Sequence, residues 1–271
     1  MVVLLALTLQ AAAAAPAPTP GSEPEPTTVT IEMGSVRARV SCEPESDRST
    51  FCAAKHLEIF RDDQPSFQEG FLGPPAYLDG NDVHKALEVV DRDGDGDPEV
   101  LLNLYSGGAH CCFSTRIYSF TRNPPHYTAL LHDWGNPGYR LEDLDHDGKL
   151  ELVTGDDRFA AVFTSFAASR LPPRIFRFSA GGLEDVTRSF PAFLEKDSNE
   201  VWAAFQQLSP KDSTGNDVRG LAAAYVADEY LLGRGSEGWR RVLEAYKKPD
   251  RKKFFADLTA HLAKTGYSRP S

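Results

Sequence analysis

Residues 91–99 carry acidic side chains at alternate positions of one short segment. These residues are Asp91, Asp93, Asp95, Asp97 and Glu99, and two glycines between them let the backbone fold back on itself. Packing so much negative charge together is unfavourable unless a cation lies among the oxygens. Carboxylate oxygens favour a hard cation, and Ca²⁺ fits best. The segment therefore predicts a calcium-binding loop.

The same spacing returns in residues 143–151. Here the acidic residues at loop positions 1, 3, 5 and 9 are Asp143, Asp145, Asp147 and Glu151. Both loops have glycine at position 6, as Gly96 and Gly148. Turns rich in Asp and Gly also form without an ion, which is the alternative interpretation. Because two loops share one register, we expect two structural Ca²⁺ ions, each fixing the turn between two strands.

Other chemistry is less well supported by the residues. An EF-hand needs Glu at position 12, where this chain has Leu102 and Thr154. The chain has no CxxC or HxxxH pair for zinc, and no nucleophile elbow. A non-catalytic binding module is the preferred interpretation. The alternative is a secreted hydrolase with Asp156, Asp157 or His110 in a cleft.

The composition predicts an exported protein. The net charge of −10 argues against a nucleic-acid partner. Residues 1–15 resemble a signal peptide, are too short and alanine-rich to favour a membrane span, and precede a Pro-rich linker at residues 16–27. The chain has four cysteines, which fits an oxidising compartment. Of three possible connectivities we favour two bridges, Cys42–Cys52 and Cys111–Cys112.

The elements that must position the loops are strands. Short alternating or β-branched runs flank both loops, at residues 86–90, 99–104, 139–142 and 151–154. These segments form a repeat, because a later predicted strand at residues 115–120 in the first unit matches residues 174–178 in the second. Residues 56–60 resemble the end of a third unit, which has no acidic loop. The sequence predicts a β-rich portion over residues 28–191. Residues 192–271 predict about four amphipathic helices, with Asp197 and Asp250 at helix starts.

The loop pattern, with an acid at position 9 followed directly by a strand, resembles the FG-GAP/VCBS calcium-binding repeats of integrin-type propellers. The resemblance covers about residues 87–178. It implies side-chain ligands from positions 1, 3, 5 and 9, and a backbone carbonyl from position 7, which is Asp97 or Lys149. Two or three repeats are too few for a closed propeller. We therefore expect an α+β protein with a repeat-derived antiparallel β portion, partly propeller-like or a sandwich, followed by helices. Its partner would be an extracellular protein or a glycan.

Overall fold

The chain folds into antiparallel sheets followed by helices. The computed structural model describes residues 27–44, 52–71, 76–78, 86–108, 111–179, 182–212 and 218–268, and these contain thirteen β-strands and four α-helices. The predicted α+β class is confirmed. The predicted signal peptide and all but the last residue of the predicted linker lie outside the described residues, and that last residue, Thr27, begins the first strand. The predicted domain bounds stay predictions.

Nine strands form the first sheet, in the order β1-β2-β3-β5-β7-β8-β9, with β4 paired to β3 and β6 paired to β7. The sheet curls until β1 and β2 face β6, and apolar residues on its inner face enclose one core. The strands are β1 Thr27–Met33, β2 Val36–Pro44, β3 Cys52–Arg61, β4 Gln64–Gly70, β5 Tyr77–Leu78, β6 Leu87–Val90, β7 Glu99–Gly108, β8 Cys111–Arg122 and β9 Pro125–Gly135.

The second sheet packs on the outer face of the first. Side chains alternate between the two faces of a strand, so β7 and β8 can face two cores at once. Leu101 and Ile117 point outward and meet Phe178 of the second sheet. No closed barrel or propeller is seen among the described residues. The strands of this second sheet are β10 Arg140–Glu142, β11 Glu151–Gly155, β12 Pro173–Ser179 and β13 Gly182–Asp185.

Two consecutive meanders make up this part of the chain. Strands β6 to β9 form the first meander and β10 to β13 form the second, and in each the acidic loop joins the first strand to the second. Val100 pairs with Tyr118 in the first meander, and Leu152 pairs with Phe176 in the second. Because Val100 and Leu152 both directly follow loop position 9, the two meanders can be compared residue by residue.

The helices close the other face of the second sheet. Their shared core takes in Phe159 and Phe163 from the β11–β12 connection, while Phe190 and Phe193 cover Ile175 of the sheet. No helix of the described residues is long and apolar enough to cross a membrane. The helices are α1 Pro191–Leu208, α2 Val218–Leu231, α3 Gly235–Ala245 and α4 Arg251–Lys264.

One predicted helix start is wrong and another is right. Asp197 lies inside α1, which begins six residues earlier with Pro191 in its first turn. Proline suits this position because its fixed φ matches the helix and its missing N–H would have no partner there. Asp250 does stand at the N-terminal cap position of α4, although its side chain makes no capping hydrogen bond.

The predicted Cys42–Cys52 bridge is present. It joins the end of β2 to the start of β3, with a Cα–Cα distance of 5.4 Å, and both residues are buried. Cys112 is disulfide-bonded as well, but the side chain of Cys111 lies outside the described part of the chain.

Candidate metal centre

The two acidic loops share one backbone conformation. Loop positions 4 and 6 have positive φ in both: 77° and 85° at Gly94 and Gly96, and 59° and 87° at His146 and Gly148. Positive φ is readily adopted by glycine and costs energy for most other residues. The second loop adopts this conformation although its position 4 is a histidine, for which a positive φ costs energy.

Three hydrogen bonds from backbone N–H groups to acidic side chains recur in the two loops. In the first loop Gly96 donates to Asp91 (3.1 Å), Asp97 to Asp95 (2.7 Å) and Arg92 to Glu99 (2.9 Å). In the second loop Gly148 donates to Asp143 (3.2 Å), Lys149 to Asp147 (2.8 Å) and Leu144 to Glu151 (3.0 Å). These bonds orient the carboxylates without neutralising their charge.

Three carboxylates converge in each loop. Asp91, Asp93 and Glu99 each offer an oxygen within 4.8 Å of the others, and the second group of this kind is Asp143, Asp145 and Glu151. Both groups could hold a metal ion. The position-5 residues, Asp95 and Asp147, were also predicted as ligands but do not belong to these groups.

Position 7 differs between the loops. The Asp97 side chain is held by Arg61 at 2.5 Å and by Arg122. Burial alone would raise the pKa of Asp97, but hydrogen bonds and charge from the two arginines outweigh it and lower the pKa. The Lys149 ammonium reaches the backbone carbonyl of Asp93 at 3.4 Å, so the two loops are neighbours. The expected use of the Asp97 and Lys149 carbonyls as ligands stays a prediction.

Glu99 is buried among acidic side chains, and within the described part of the chain no arginine or lysine side chain pairs with it. Its side chain is 3% exposed. Burial, together with the charges of Asp93, Asp95 and Asp91, raises its pKa from 4.5 to about 7 against the effect of the Arg92 N–H. Since the pKa is raised in the folded state, ionising Glu99 costs stability as the pH rises from about 4.5 to about 7. A bound cation would remove this cost.

An arginine fills the corresponding place in the second loop. Arg177 on β12 donates to Glu151 at 2.6 Å and to Asp145 at 2.8 Å, and these bonds and charges raise its pKa. The first meander has Ser119 at this strand position, directly after Tyr118. The oxygen of Ser119 is buried and has no hydrogen-bond partner among the described residues. Arg177 is thus an internal counter-ion for Glu151, and Glu99 of the first loop has no such partner in the part of the chain that the structure describes.

The residues of the hydrolase alternative are held by other partners. Arg158 binds Asp156 with two guanidinium nitrogens and its backbone N–H, and the Tyr267 hydroxyl adds a fourth bond at 2.9 Å. Burial would raise the pKa of Asp156, but these partners lower it overall. Asp157 accepts from the Asn136 amide at 3.2 Å. His110 lies outside the described residues.

Family comparison matches the helices and not the loops. The model of the sll0997 C-terminal domain matches residues 194–266. The predicted FG-GAP/VCBS assignment is wrong, because no such family is found. The acidic loop is a short motif whose spacing follows from the geometry of oxygen ligands, so it carries little information about ancestry.

Two relatives are similar over much of the chain. The probable thylakoid lumen protein sll0997 of Synechocystis sp. (strain ATCC 27184 / PCC 6803 / Kazusa) is 32% identical over 60% of this chain and 48% of its own length. The uncharacterized protein y4bJ of Sinorhizobium fredii (strain NBRC 101917 / NGR234) is 28% identical over 67% of this chain and 28% of its own length. The chain thus spans at most about half of these relatives. No solved structure matches.

Proposed function

We propose that this is an exported, non-catalytic binding module whose acidic loops take up Ca²⁺ as a structural ion. The observation that carries the proposal is the Asp91, Asp93 and Glu99 group, in which the buried Glu99 carboxylate has no arginine or lysine partner among the described residues. A ligand set made only of oxygen suits Ca²⁺ better than softer metals. The signal-like N-terminus and the similarity to a probable lumen protein support export.

The two loops are proposed to differ in affinity. In the first loop an ion would enter a group of carboxylates that repel each other. In the second loop the ion must compete with the Arg177 guanidinium, which already bridges Asp145 and Glu151. Displacing Arg177 costs its three charge-assisted hydrogen bonds to Glu151 and Asp145, so the second Ca²⁺ should bind more weakly than the first.

The direct test is calcium titration and thermal unfolding of the metal-stripped protein. We expect one tighter and one weaker uptake step. With free Ca²⁺ about a hundredfold above the dissociation constant, stability should rise by roughly 2.7 kcal/mol, or about 5–10 °C in midpoint. Asp93→Ala should abolish the tighter step, whereas Asp257→Ala, at an exposed site on α4, should change neither step. No heat of calcium uptake, and equal midpoints in calcium and in EGTA, would refute the proposal.

The affinity of the first loop should depend on pH. Calcium binds the carboxylate and not the carboxylic acid, so a proton on Glu99 competes with the ion. Since the pKa of Glu99 is about 7, the affinity should be nearly constant above this pH. Below it, the affinity should fall by up to about tenfold per pH unit. Titrations of Asp145→Ala at pH 8, 7 and 6 would isolate the first loop. An affinity that is the same at all three values would contradict this expectation.

A further inference from the structure

A cleft of about 390 Å³ opens where the first meander meets the start of β10. Half-buried aromatic rings of Phe113 and Tyr139 lie on its walls, and the buried Trp134 lies below them. Polar groups of Glu88 and Asn103 also face it. Clefts that combine aromatic surface with a few fixed polar groups are the usual form of a small-molecule site.

A chain of hydrogen bonds fixes the polar groups of this cleft. The Asn103 side-chain oxygen accepts from Thr115 at 2.7 Å and from Tyr139 at 3.1 Å, while the Trp134 N–H donates to Thr115 at 2.9 Å. With both lone pairs of that oxygen used, the Asn103 NH₂ group must point to Glu88, at 3.4 Å. A long contact leaves the amide donor and the adjacent carboxylate oxygen able to bind a ligand.

The fold itself does not require these polar residues. The second meander has the same strand pairing, and the loop register places Arg140 and Gly155 where the first meander has Glu88 and Asn103. Buried polar groups cost stability unless every one finds a partner. Since the second meander folds without this network, a role in binding explains better than packing why the first has it.

Charge limits the ligand class. The second oxygen of Glu88 accepts from Arg92 at 2.8 Å, and the Arg92 side chain is 5% exposed. The carboxylate is therefore neutralised within the protein, and the described residues that line the cleft offer no net charge to a ligand. Adjacent donor and acceptor groups suit neighbouring hydroxyls, because each hydroxyl both donates and accepts. The aromatic walls suit a flat C–H surface.

We propose that this cleft binds a neutral saccharide, with Glu88 and Asn103 contacting adjacent hydroxyls of one sugar ring. The saccharide proposal deepens the proposed function. It rests on only one part of it, namely that the protein is a binding module. Arg92 links the first acidic loop to the cleft, because its backbone N–H donates to Glu99 and its side chain donates to Glu88. Calcium uptake should therefore tighten saccharide binding.

The test is saturation-transfer NMR on the full chain, in calcium, with cellobiose, maltose and chitobiose as probes. We expect transfer to at least one of these disaccharides. Ser114→Trp should abolish it by filling the cleft, and Glu88→Gln should weaken binding about tenfold, for one lost charge-assisted hydrogen bond. Glu58→Gln is the matched control and should leave binding unchanged. The Glu58 side chain is 30% exposed and that of Glu88 is 33% exposed, and each is paired with one arginine.

Two outcomes would overturn the saccharide proposal. One is the absence of transfer to all three disaccharides, and the other is equal transfer in the native chain and in Ser114→Trp, which would put the binding elsewhere. Circular dichroism shows whether each variant has folded. Calcium uptake is read separately by calorimetry, so a chain that binds calcium and no sugar refutes only the saccharide site. A chain that binds sugar but no calcium refutes only the ion sites.

Discussion

Arg177→Ser should lower the free energy of unfolding in EGTA by about 3 kcal/mol, because removing this half-buried arginine leaves a buried carboxylate without its counter-ion. The remaining charge is that of Glu151, whose side chain is fully buried beside Asp145 and Asp143. Serine is the residue at the equivalent position of the first meander, so the variant removes this one difference between the two loops. Calcium should then restore most of the lost stability, and calorimetry should show two uptake steps of similar affinity.

Arg174→Ser is the matched control for this variant. The side chains of Arg174 and Arg177 are 32% and 31% exposed and lie on the same strand, but the partner of Arg174 is Asp185, which is 45% exposed. Loss of a partly exposed pair should cost less than about 1 kcal/mol and leave the calcium response unchanged. If Arg177→Ser were as stable as the native chain in EGTA, or gained no calcium response, Arg177 would not be the internal counter-ion of the second loop.

Asp228→Asn should make the protein more stable at pH 8, by about 2 kcal/mol. Asp228 on α2 is fully buried, and neither of its oxygens meets an N–H or a neutral hydroxyl of the described residues. Its carboxyl group instead contacts that of Asp197 on α1. Burial, and then the charge of Asp197, raise the pKa of Asp228 well above 3.8, although Arg170 acts in the opposite direction.

The sign of the pH dependence follows from the raised pKa. Unfolded Asp228 loses its proton near its ordinary pKa of 3.8, whereas the folded chain keeps it, so stability falls as the pH rises from that value through the folded pKa. Asparagine is neutral at every pH, and its amide donates to Asp197 as the protonated acid does. The variant and the native chain should therefore be similar near pH 4 and differ at pH 8.

Chemical denaturation of Asp228→Asn at pH 4 and pH 8 measures this difference. Asp257→Asn, on the exposed face of α4, should track the native chain at both values. If the native chain gained as much stability between pH 4 and pH 8 as Asp228→Asn does, then Asp228 would be ionised in the folded protein, and the expectation would be wrong.

Short-range features of the fold could be predicted from the sequence. Loop spacing alone gave the positions of Asp91, Asp93 and Glu99, because backbone geometry over nine residues decides which side chains converge. Strand alternation likewise gave the flanking strands. The ligand role of loop position 5 stays a prediction: Asp95 accepts from the N–H of Asp97 and stands outside the group of three.

Long-range partners were missed. Arg177 reaches Glu151 from another strand, and nothing in the loop itself indicates an arginine there. The available signal was the match between residues 115–120 and 174–178, in which a serine of the first strand aligns with an arginine of the second. The Asp197 and Asp228 contact depends on how α1 packs against α2, which helix periodicity does not specify.

The core of the helices includes residues that lie outside the segment recognised by sequence similarity. The segment shared with the sll0997 C-terminal domain runs from residue 194 to residue 266, but its interior is completed by Phe159 and Phe163, which precede it. Arg170, which binds Asp197, also lies upstream. The segment matched by the family model is therefore smaller than the set of residues that packs into the core of the helices. A fragment cut at the similarity boundary would expose the aromatic surface on which its own helices depend.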